Sequence, residues 1–216
     1  MKDLRPIRGK HYIADLISQG EHEHQDFKFA ISDALKIARS ISAFANNDGG
    51  RLLIGVKDNG RIAGVKNEED IYVVEQAAEM YCRPPQKPRF TAFATDEGVV
   101  IRAEISKAQS RPVKARESDS RWRAYYRVAD ENIAASPLMV RAWQRQSDAS
   151  GTLIQLTDAG RAILEHLASA GASNVTEIAL HAGLSRESAE ELIVKMAAME
   201  IVCFRYKNGR FLIDIP

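Results

Sequence analysis

Three carboxylates are the residues of this chain whose type and spacing suggest catalysis. Glu21 and Asp26 lie where the first predicted strand begins, and Asp58 follows the strand that contains Gly55. Carboxylate oxygens that converge on one point bind a divalent cation as hard ligands. Such a cation activates water and stabilises the charge that develops at a phosphate during hydrolysis. The three acids therefore predict a site for Mg²⁺ or Mn²⁺, and the alternative is that they are solvated turn residues without activity.

A second group combines basic and aromatic residues in the segment 111–127. Basic side chains neutralise phosphates, and aromatic rings stack on unpaired bases. Trp122, Tyr125 and Tyr126 are interleaved with the predicted nucleic-acid contacts, which are Arg111, Lys114, Arg116, Arg121, Arg123 and Arg127. Lys28, Arg83, Lys87 and Arg89 would extend this group if the fold brings them near. The alternative is a solvated loop whose aromatic side chains fill the core of the domain.

A third candidate is the turn that contains Asn46, Gly49 and Gly50. Paired glycines permit positive φ and a close approach to the backbone, so the N–H groups of this turn could contact a phosphate. The turn leads into a strand and not into a helix, so no helix dipole adds to the attraction. No phosphate-binding loop of the form G-x-x-x-x-G-K-[ST] is present, and ATP binding has little support.

Hydrophobic periodicity predicts an α+β domain that must position these groups. Helices are predicted at 10–20, 32–46, 67–81 and 138–144, and strands at 27–29, 52–56, 62–65, 90–95, 99–105 and 124–128. Asn67 is predicted to cap the third helix. The strands outnumber the helices and are largely connected as hairpins, which favours an α+β class.

A polar linker at 145–152 separates this domain, residues 1–144, from a second predicted domain at 153–216. Three helices followed by a hairpin are the order of a winged helix-turn-helix. The predicted recognition helix, 185–200, carries acidic residues, although a helix that enters the major groove normally presents a positive or neutral face. Basic residues of the hairpin that could contact DNA are Arg205, Lys207 and Arg210. DNA contact through the hairpin and a protein-protein or dimer contact both remain open.

A long motif links the first domain to a known family. The run FANNDGGRLLIGVKDNGRIAGV, preceded by EHEHQDFK, resembles the AlbA-like domain of the Schlafen family over about residues 15–135. The shared pattern is an acidic residue followed by Phe-Lys, a helix, AFAN with two glycines, and then IGV with aspartate and glycine. The segment 153–216 resembles the many bacterial winged helices in a more generic way. The resemblance implies an AlbA-like fold followed by a winged helix.

The same resemblance implies a catalytic role for the three acids. Glu21, Asp26 and Asp58 match the acidic positions of the Schlafen ribonucleases, and Lys28 would contact the scissile phosphate. The sequence departs from the pattern at residue 26, where the family usually has glutamate. The shorter side chain withdraws the carboxylate by about 1.5 Å, a displacement that matters in a catalytic site.

Composition limits the possible functions. The chain has 216 residues, 45% of them hydrophobic, and a formal net charge of +1, so any nucleic-acid binding must come from a local patch. Cys82 and Cys203 match neither a disulfide framework nor a zinc motif. The N-terminal segment lacks the apolar core of a signal peptide, and no apolar run approaches membrane-spanning length. The sequence predicts a soluble cytoplasmic protein that is not associated with membranes.

Nucleic-acid binding, to DNA or RNA, is the first function that these observations predict. The protein would be a bacterial transcriptional regulator or defence-associated accessory protein, a homodimer, with no cofactor required for binding. A metal-dependent endoribonuclease that uses Glu21, Asp26 and Asp58 is the second possibility. A protein-interaction module without nucleic-acid activity is the third.

Overall fold

The computed structural model describes residues 4–65, 69–148, 151 and 157–216. The predicted cap at Asn67 and the predicted start of the second domain at 153 lie outside these residues. The helices of the described residues are α1 (Lys10–Ser18), α2 (Ala34–Asn46), α3 (Glu69–Met80), α4 (Pro137–Gln146), α5 (Asp158–Ala170), α6 (Val175–His181) and α7 (Arg186–Ala198). The strands are β1 (Ile7–Arg8), β2 (Gln25–Lys28), β3 (Gly50–Ile54), β4 (Cys82–Arg83), β5 (Arg89–Ala94), β6 (Val99–Ile105), β7 (Lys114–Arg116), β8 (Trp122–Val128), β9 (Glu131–Ala134), β10 (Cys203–Lys207) and β11 (Arg210–Asp214). None of the described helices has the length and apolar character needed to cross a bilayer.

A five-stranded mixed sheet forms the centre of the first compact unit, in the order β1-β5-β6-β3-β2. β1 is parallel to β5 and β2 is parallel to β3, whereas β3-β6 and β5-β6 are antiparallel. One face of the sheet packs on α2 and α3. The other face packs on α1 through a smaller cluster of Ile13, Leu16, Phe27, Leu53, Val56, Phe93 and Val100. The α+β class predicted from the strands and helices is confirmed.

Helix α2 organises this unit because it is buried along most of its length. Asp33 caps its N-terminus by accepting the backbone N–H groups of Leu35 and Lys36. Ile37, Ile41 and Phe44 recur at spacings of four and three residues, and each is almost fully buried against the sheet.

A four-stranded antiparallel sheet in the order β4-β7-β8-β9 packs on another side of α2. No strand was predicted between 105 and 124, whereas Lys114–Arg116 forms β7. β9 was not predicted either. Strands of three or four residues give too few alternations for a period of two to stand out.

The chain divides into two compact units. The first comprises 1–108 and 113–134, and the second comprises 109–112 and 135–216. Helix α4 falls in the second unit and packs against α7, whereas the sequence placed its residues at the end of the first domain.

The second unit contains α4, the helices α5, α6 and α7, and the hairpin β10-β11. Thr157, Asn174 and Ser185 cap α5, α6 and α7 with their side chains, and at Asn174 the cap is a complete capping box with Glu177. The core of the unit consists of Ile163, Leu167, Ile178, Ile193, Met196, Val202 and Ile213.

Candidate nucleic-acid interface

Strand β2 lies at an edge of the five-stranded sheet, and charged side chains bind its outward-facing backbone groups. The Phe27 N–H donates to Glu21 Oε1 at 2.7 Å, and Lys28 Nζ donates to the Phe27 carbonyl at 2.8 Å. The Gln25 carbonyl accepts from Arg127 Nη2 at 3.3 Å. An open edge strand is a template for pairing with other chains. The acid-Phe-Lys motif therefore closes this edge.

Asp26 is a buried carboxylate held between two cations. Its side chain is 7% exposed, with Oδ2 2.7 Å from Lys28 Nζ and Oδ1 3.3 Å from Arg127 Nη2. Burial by itself would raise the pKa of Asp26, but the hydrogen bond from Glu21 and the two cations outweigh it and lower the pKa. Asp26 is thus ionised and its charge is neutralised inside the protein.

Glu21 has the opposite protonation tendency. Burial, followed by the hydrogen bond to Asp26, raises the pKa of Glu21, and the hydrogen bond from the Phe27 N–H opposes this only in part. The pKa of Glu21 is thus shifted upward and that of Asp26 downward, as expected for two adjacent carboxyl groups that compete for one proton.

The third predicted acid, Asp58, does not join this pair. Asp26 is level with Leu52 in the parallel pair β2-β3, whereas Asp58 lies beyond the end of β3 on an exposed turn closed by the Gly60 N–H to Lys57 carbonyl bond. In the described residues, which include all three acids, no group of three or more His, Cys, Asp or Glu side chains is arranged to hold a metal ion. The prediction that Glu21, Asp26 and Asp58 converge on one metal site is therefore wrong for this structure.

The donor set also does not fit a divalent cation. Both oxygens of Asp26 are bound to cationic side chains, and one oxygen of Glu21 is bound to a backbone N–H. A metal ion at this position would have to displace or withstand two positive charges.

Arg127 was predicted to contact nucleic acid, and its burial excludes this role. Its side chain is 1% exposed. Besides Asp26 it binds the Asn132 side chain at 3.0 Å, and its guanidinium lies 5.0 Å from the centroid of the Phe44 ring. It is the buried counter-ion of Asp26.

Asn46 was predicted to contact phosphate, and the structure gives it a different role. The side chain is fully buried, accepts the Val113 N–H at 2.7 Å and donates to the carbonyls of Val113 and Tyr125, each at 2.8 Å. The next residue, Asn47, accepts from and donates to the backbone of Arg127 at 3.0 Å each. The two asparagines attach the end of α2 to β8 and the segment before β7.

The glycines of the following turn are required by close packing. The Gly49 N–H already donates to the Phe44 carbonyl, and its φ of +84° disfavours other residues. A Cβ atom on Gly50 would lie 2.2 Å from the Phe44 ring. Packing thus explains the two glycines without a ligand.

One face of the four-stranded sheet combines cations and aromatic rings, and we call it the outer face. In the ladder, Arg83 pairs with Lys114, and Arg116 pairs with Trp122, so their side chains lie on one face, opposite to α2. The Arg83 guanidinium lies 4.1 Å from the centroid of the Trp122 ring, a close cation-π contact. The outer face comprises Tyr81, Arg83, Lys114, Arg116, Trp122 and Tyr126, all at least partly exposed.

The other predicted basic residues of this segment lie elsewhere. Arg121 precedes β8, is 72% exposed and forms an ion pair with Asp119. Arg123 pairs with Ala115, so it lies at the exposed margin of the face that packs on α2. Arg111 belongs to the second unit, where it binds Gln146 at 2.6 Å.

Comparison with known proteins identifies the domain that carries the outer face. The family model described as Schlafen, AlbA_2 matches residues 21–136, which is more than half of the chain and includes every residue of the outer face. The chain belongs to the Schlafen AlbA_2 family. This domain family is generally related to nucleic acids.

Two further comparisons were made. No curated protein matches the AlbA_2 chain. Among solved structures, the crystal structure of the DIP2311 protein from Corynebacterium diphtheriae is similar, with 22% sequence identity and a TM-score of 0.45 over 88% of this chain. The matched region is 34% of that protein, so this chain spans about a third of its length.

The predicted basic residues of the hairpin lie outside the AlbA_2 match. Lys207 and Arg210 pair across the β10-β11 turn and are exposed. Arg205 is held by Asp214 and by the carbonyl of Ile215 at 3.3 Å. The tip of the hairpin thus presents two exposed cations.

Proposed function

We propose that this protein binds nucleic acid through the outer face of its AlbA_2 domain and acts as a bacterial transcriptional regulator. The observation that carries the proposal is the collection of three cations and three aromatic rings on one sheet face. Two of the cations, Lys114 and Arg116, belong to the segment predicted from sequence, and Arg83, predicted to extend it if the fold allowed, lies beside Lys114 through the pairing of β4 with β7.

Local charge supports this interface better than the charge of the whole chain. The formal net charge is +1, so non-specific attraction of a polyanion to the whole molecule is weak. On the outer face, the Arg83 guanidinium packs against the Trp122 ring, and the Arg116 guanidinium lies 6.0 Å from the centroid of the Tyr81 ring. Cations held beside rings can neutralise phosphates while the rings contact bases or sugars.

We extend the proposal to the second unit as a winged helix. Its three helices α5–α7 and the hairpin follow the order of that motif, and Lys207 and Arg210 at the hairpin tip would contact the DNA backbone. A symmetric homodimer is the expected assembly, and sedimentation equilibrium would then give twice the 24.0 kDa of one chain.

A metal-dependent endoribonuclease is the second candidate, and the contact between Glu21 and Asp26 favours it. The position of Asp58 and the two cations on Asp26 oppose it. A module that binds only protein is the third candidate.

A substrate panel separates these functions. The purified chain is incubated with labelled single-stranded RNA, structured RNA and duplex DNA in Mg²⁺, in Mn²⁺ and in EDTA, beside an Asp58→Ala variant. We expect intact nucleic acid in a salt-sensitive complex that forms equally in EDTA. Metal-dependent cleavage that is lost in Asp58→Ala would establish the nuclease instead, and no complex under any condition would leave the protein-binding module.

A further inference from the structure

Helix α7 is buried on two opposite sides. Ala189, Ile193 and Met196 face the core of the second unit and are fully buried. Val194 and Ala198 are also buried, at 2% and 8% exposure, yet they lie about half a turn away from the core side. A helix of a small unit normally has one apolar side, so a second element must cover α7.

Helix α4 is the element that covers this second side. Arg141 Nη2 lies 2.9 Å from Glu191 and Nη1 lies 3.5 Å from Glu190, and Arg145 forms a further ion pair with Glu191. Gln146 donates to Glu200 at 3.1 Å.

Helix α4 also buries three apolar side chains. Met139, Ala142 and Trp143 are the buried residues of α4, and α4 packs against α7. The side of α7 that bears Glu190, Glu191, Val194 and Ala198 is therefore occupied within the unit.

In a helix-turn-helix, the side of the third helix that faces away from the core enters the major groove. We propose that α4 is an intramolecular mask on α7, so that α7 contacts duplex DNA only after α4 is displaced. This inference rests on the proposed winged-helix function of the second unit.

The mask also explains the acidic residues that oppose DNA binding in the sequence. Glu190 and Glu191 are partners of Arg141 and Arg145, and on the helix itself they pair with Arg186 at 3.0 Å and Lys195 at 3.9 Å. The acidic side chains thus hold the masked state. Because these side chains are partly exposed, each ion pair contributes little to the stability of the α4-α7 contact.

Charge reversal of the α4 arginines tests the mask. Arg141→Glu combined with Arg145→Glu places four carboxylates together, and Trp143 should become exposed. The measurement is Trp143 fluorescence in a Trp122→Phe background, read as emission wavelength and acrylamide quenching. Lys36→Glu combined with Arg161→Glu is the matched control, since it changes the charge equally at exposed sites that do not contact the α4-α7 pair.

Binding of labelled duplex DNA by the full chain is measured in parallel, with Lys114→Ala and Arg116→Ala added to remove the outer face. The α4 reversal should raise duplex affinity about tenfold despite the loss of positive charge, because the binding-competent state is no longer a minor population. The control should lower affinity. Adding Glu190→Arg and Glu191→Arg restores the ion pairs with opposite sign and should return Trp143 to its buried state, which distinguishes opening from unfolding.

Two results would overturn the mask. Either Trp143 stays buried in the reversed variant, or it becomes exposed while duplex affinity does not rise. Failure of the proposed function would be a separate result. The substrate panel would then show no complex with the unmodified chain, and the Trp143 measurement would still report whether α4 is displaced.

Discussion

At the scale of single residues, the environment changes what each charge can do. Arg127 belongs by sequence to a basic segment, yet it lies inside the protein and neutralises Asp26. Asp26 belongs by sequence to an acidic motif, yet it is bound by Arg127 and Lys28. A buried ion pair is a weak source of stability, but removal of one partner leaves an uncompensated buried charge. The motif residues therefore contribute first to the folded state.

Asp26→Asn should be strongly destabilising. The substitution leaves the Arg127 guanidinium buried without its carboxylate, a change that costs about 3–5 kcal/mol in the free energy of unfolding. Urea denaturation followed by circular dichroism measures it. Asp58→Asn, on the exposed turn, is the control and should change the free energy by less than about 0.5 kcal/mol. Equal effects of the two substitutions would contradict the buried role of Asp26.

Glu21→Gln should change how stability depends on pH. The pKa of Glu21 is raised above its ordinary value of 4.5 by burial and by the hydrogen bond to Asp26. Its contribution to stability is therefore full below pH 4.5 and is lost as the pH rises through the raised pKa. Glutamine resembles the protonated form, so it avoids this loss.

The stability of Glu21→Gln relative to the unmodified chain should accordingly increase between pH 4.5 and 7. Asp26 has a lowered pKa, so its contribution is present above its ordinary value of 3.8 and is lost only as the pH falls further. Between pH 4.5 and 7 the contribution of Asp26 to stability is the same in the unmodified chain and in Glu21→Gln, so it cancels in the difference between their free energies of unfolding. Urea denaturation at a series of pH values measures the difference, and a difference that does not change with pH would refute the shared-proton description.

At the scale of elements, the end of α2 joins the two sheets of the first unit. Asn46 and Asn47 donate to and accept from the backbone on the β8 side of the helix, while Gly50 begins β3 against Phe44. The AFANNDGG motif thus connects the two sheets, and this role accounts for its residues without a bound phosphate.

Asn46→Ala should destabilise the first unit. The substitution leaves the Val113 N–H and the Tyr125 carbonyl without their Asn46 partner, whereas the Val113 carbonyl keeps the Ser42 hydroxyl. Each buried group left unsatisfied costs about 1–3 kcal/mol. Gln76→Ala, at an exposed position of α3, is the control. Urea denaturation measures the free energy of unfolding. If Asn46→Ala lowers it no more than Gln76→Ala does, Asn46 does not connect the two sheets as described.

Periodicity predicted the long elements of the first unit. The α2 helix and the β5 and β6 strands follow from local residue patterns. The short strands β1, β4, β7 and β9 did not, because their pairing depends on partners distant in the chain. The composition of the outer face depends on the same pairing.

The candidate site was predictable only in part for a related reason. Residue type predicted that Lys114 and Arg116 are basic contacts, but it left the addition of Arg83 dependent on the fold and did not predict that Arg127 is buried. The residue type of Arg127 does not show whether its side chain lies on the outer face or on the face that packs on α2. The packing of α2 against β8 decides which of these faces is buried.

At the scale of the whole molecule, the net charge is only +1, so any binding of a polyanion must come from local basic patches. The chain has two candidates for such a patch, the outer face of the AlbA_2 domain and the tip of the β10-β11 hairpin. Both patches are exposed in the described conformation, but the second belongs to a unit whose α7 helix is covered by α4. We therefore expect the outer face to dominate nucleic-acid affinity.

The most direct measurement is the salt dependence of nucleic-acid affinity for Lys114→Ala combined with Arg116→Ala. If both side chains contact phosphates, the slope of log K against log salt concentration should fall by about 1.4–1.8. Arg121→Ala combined with Arg123→Ala removes the same charge outside the outer face, and its slope should change by less than half as much. Equal changes in the two variants, or no change in the first, would contradict binding through the outer face.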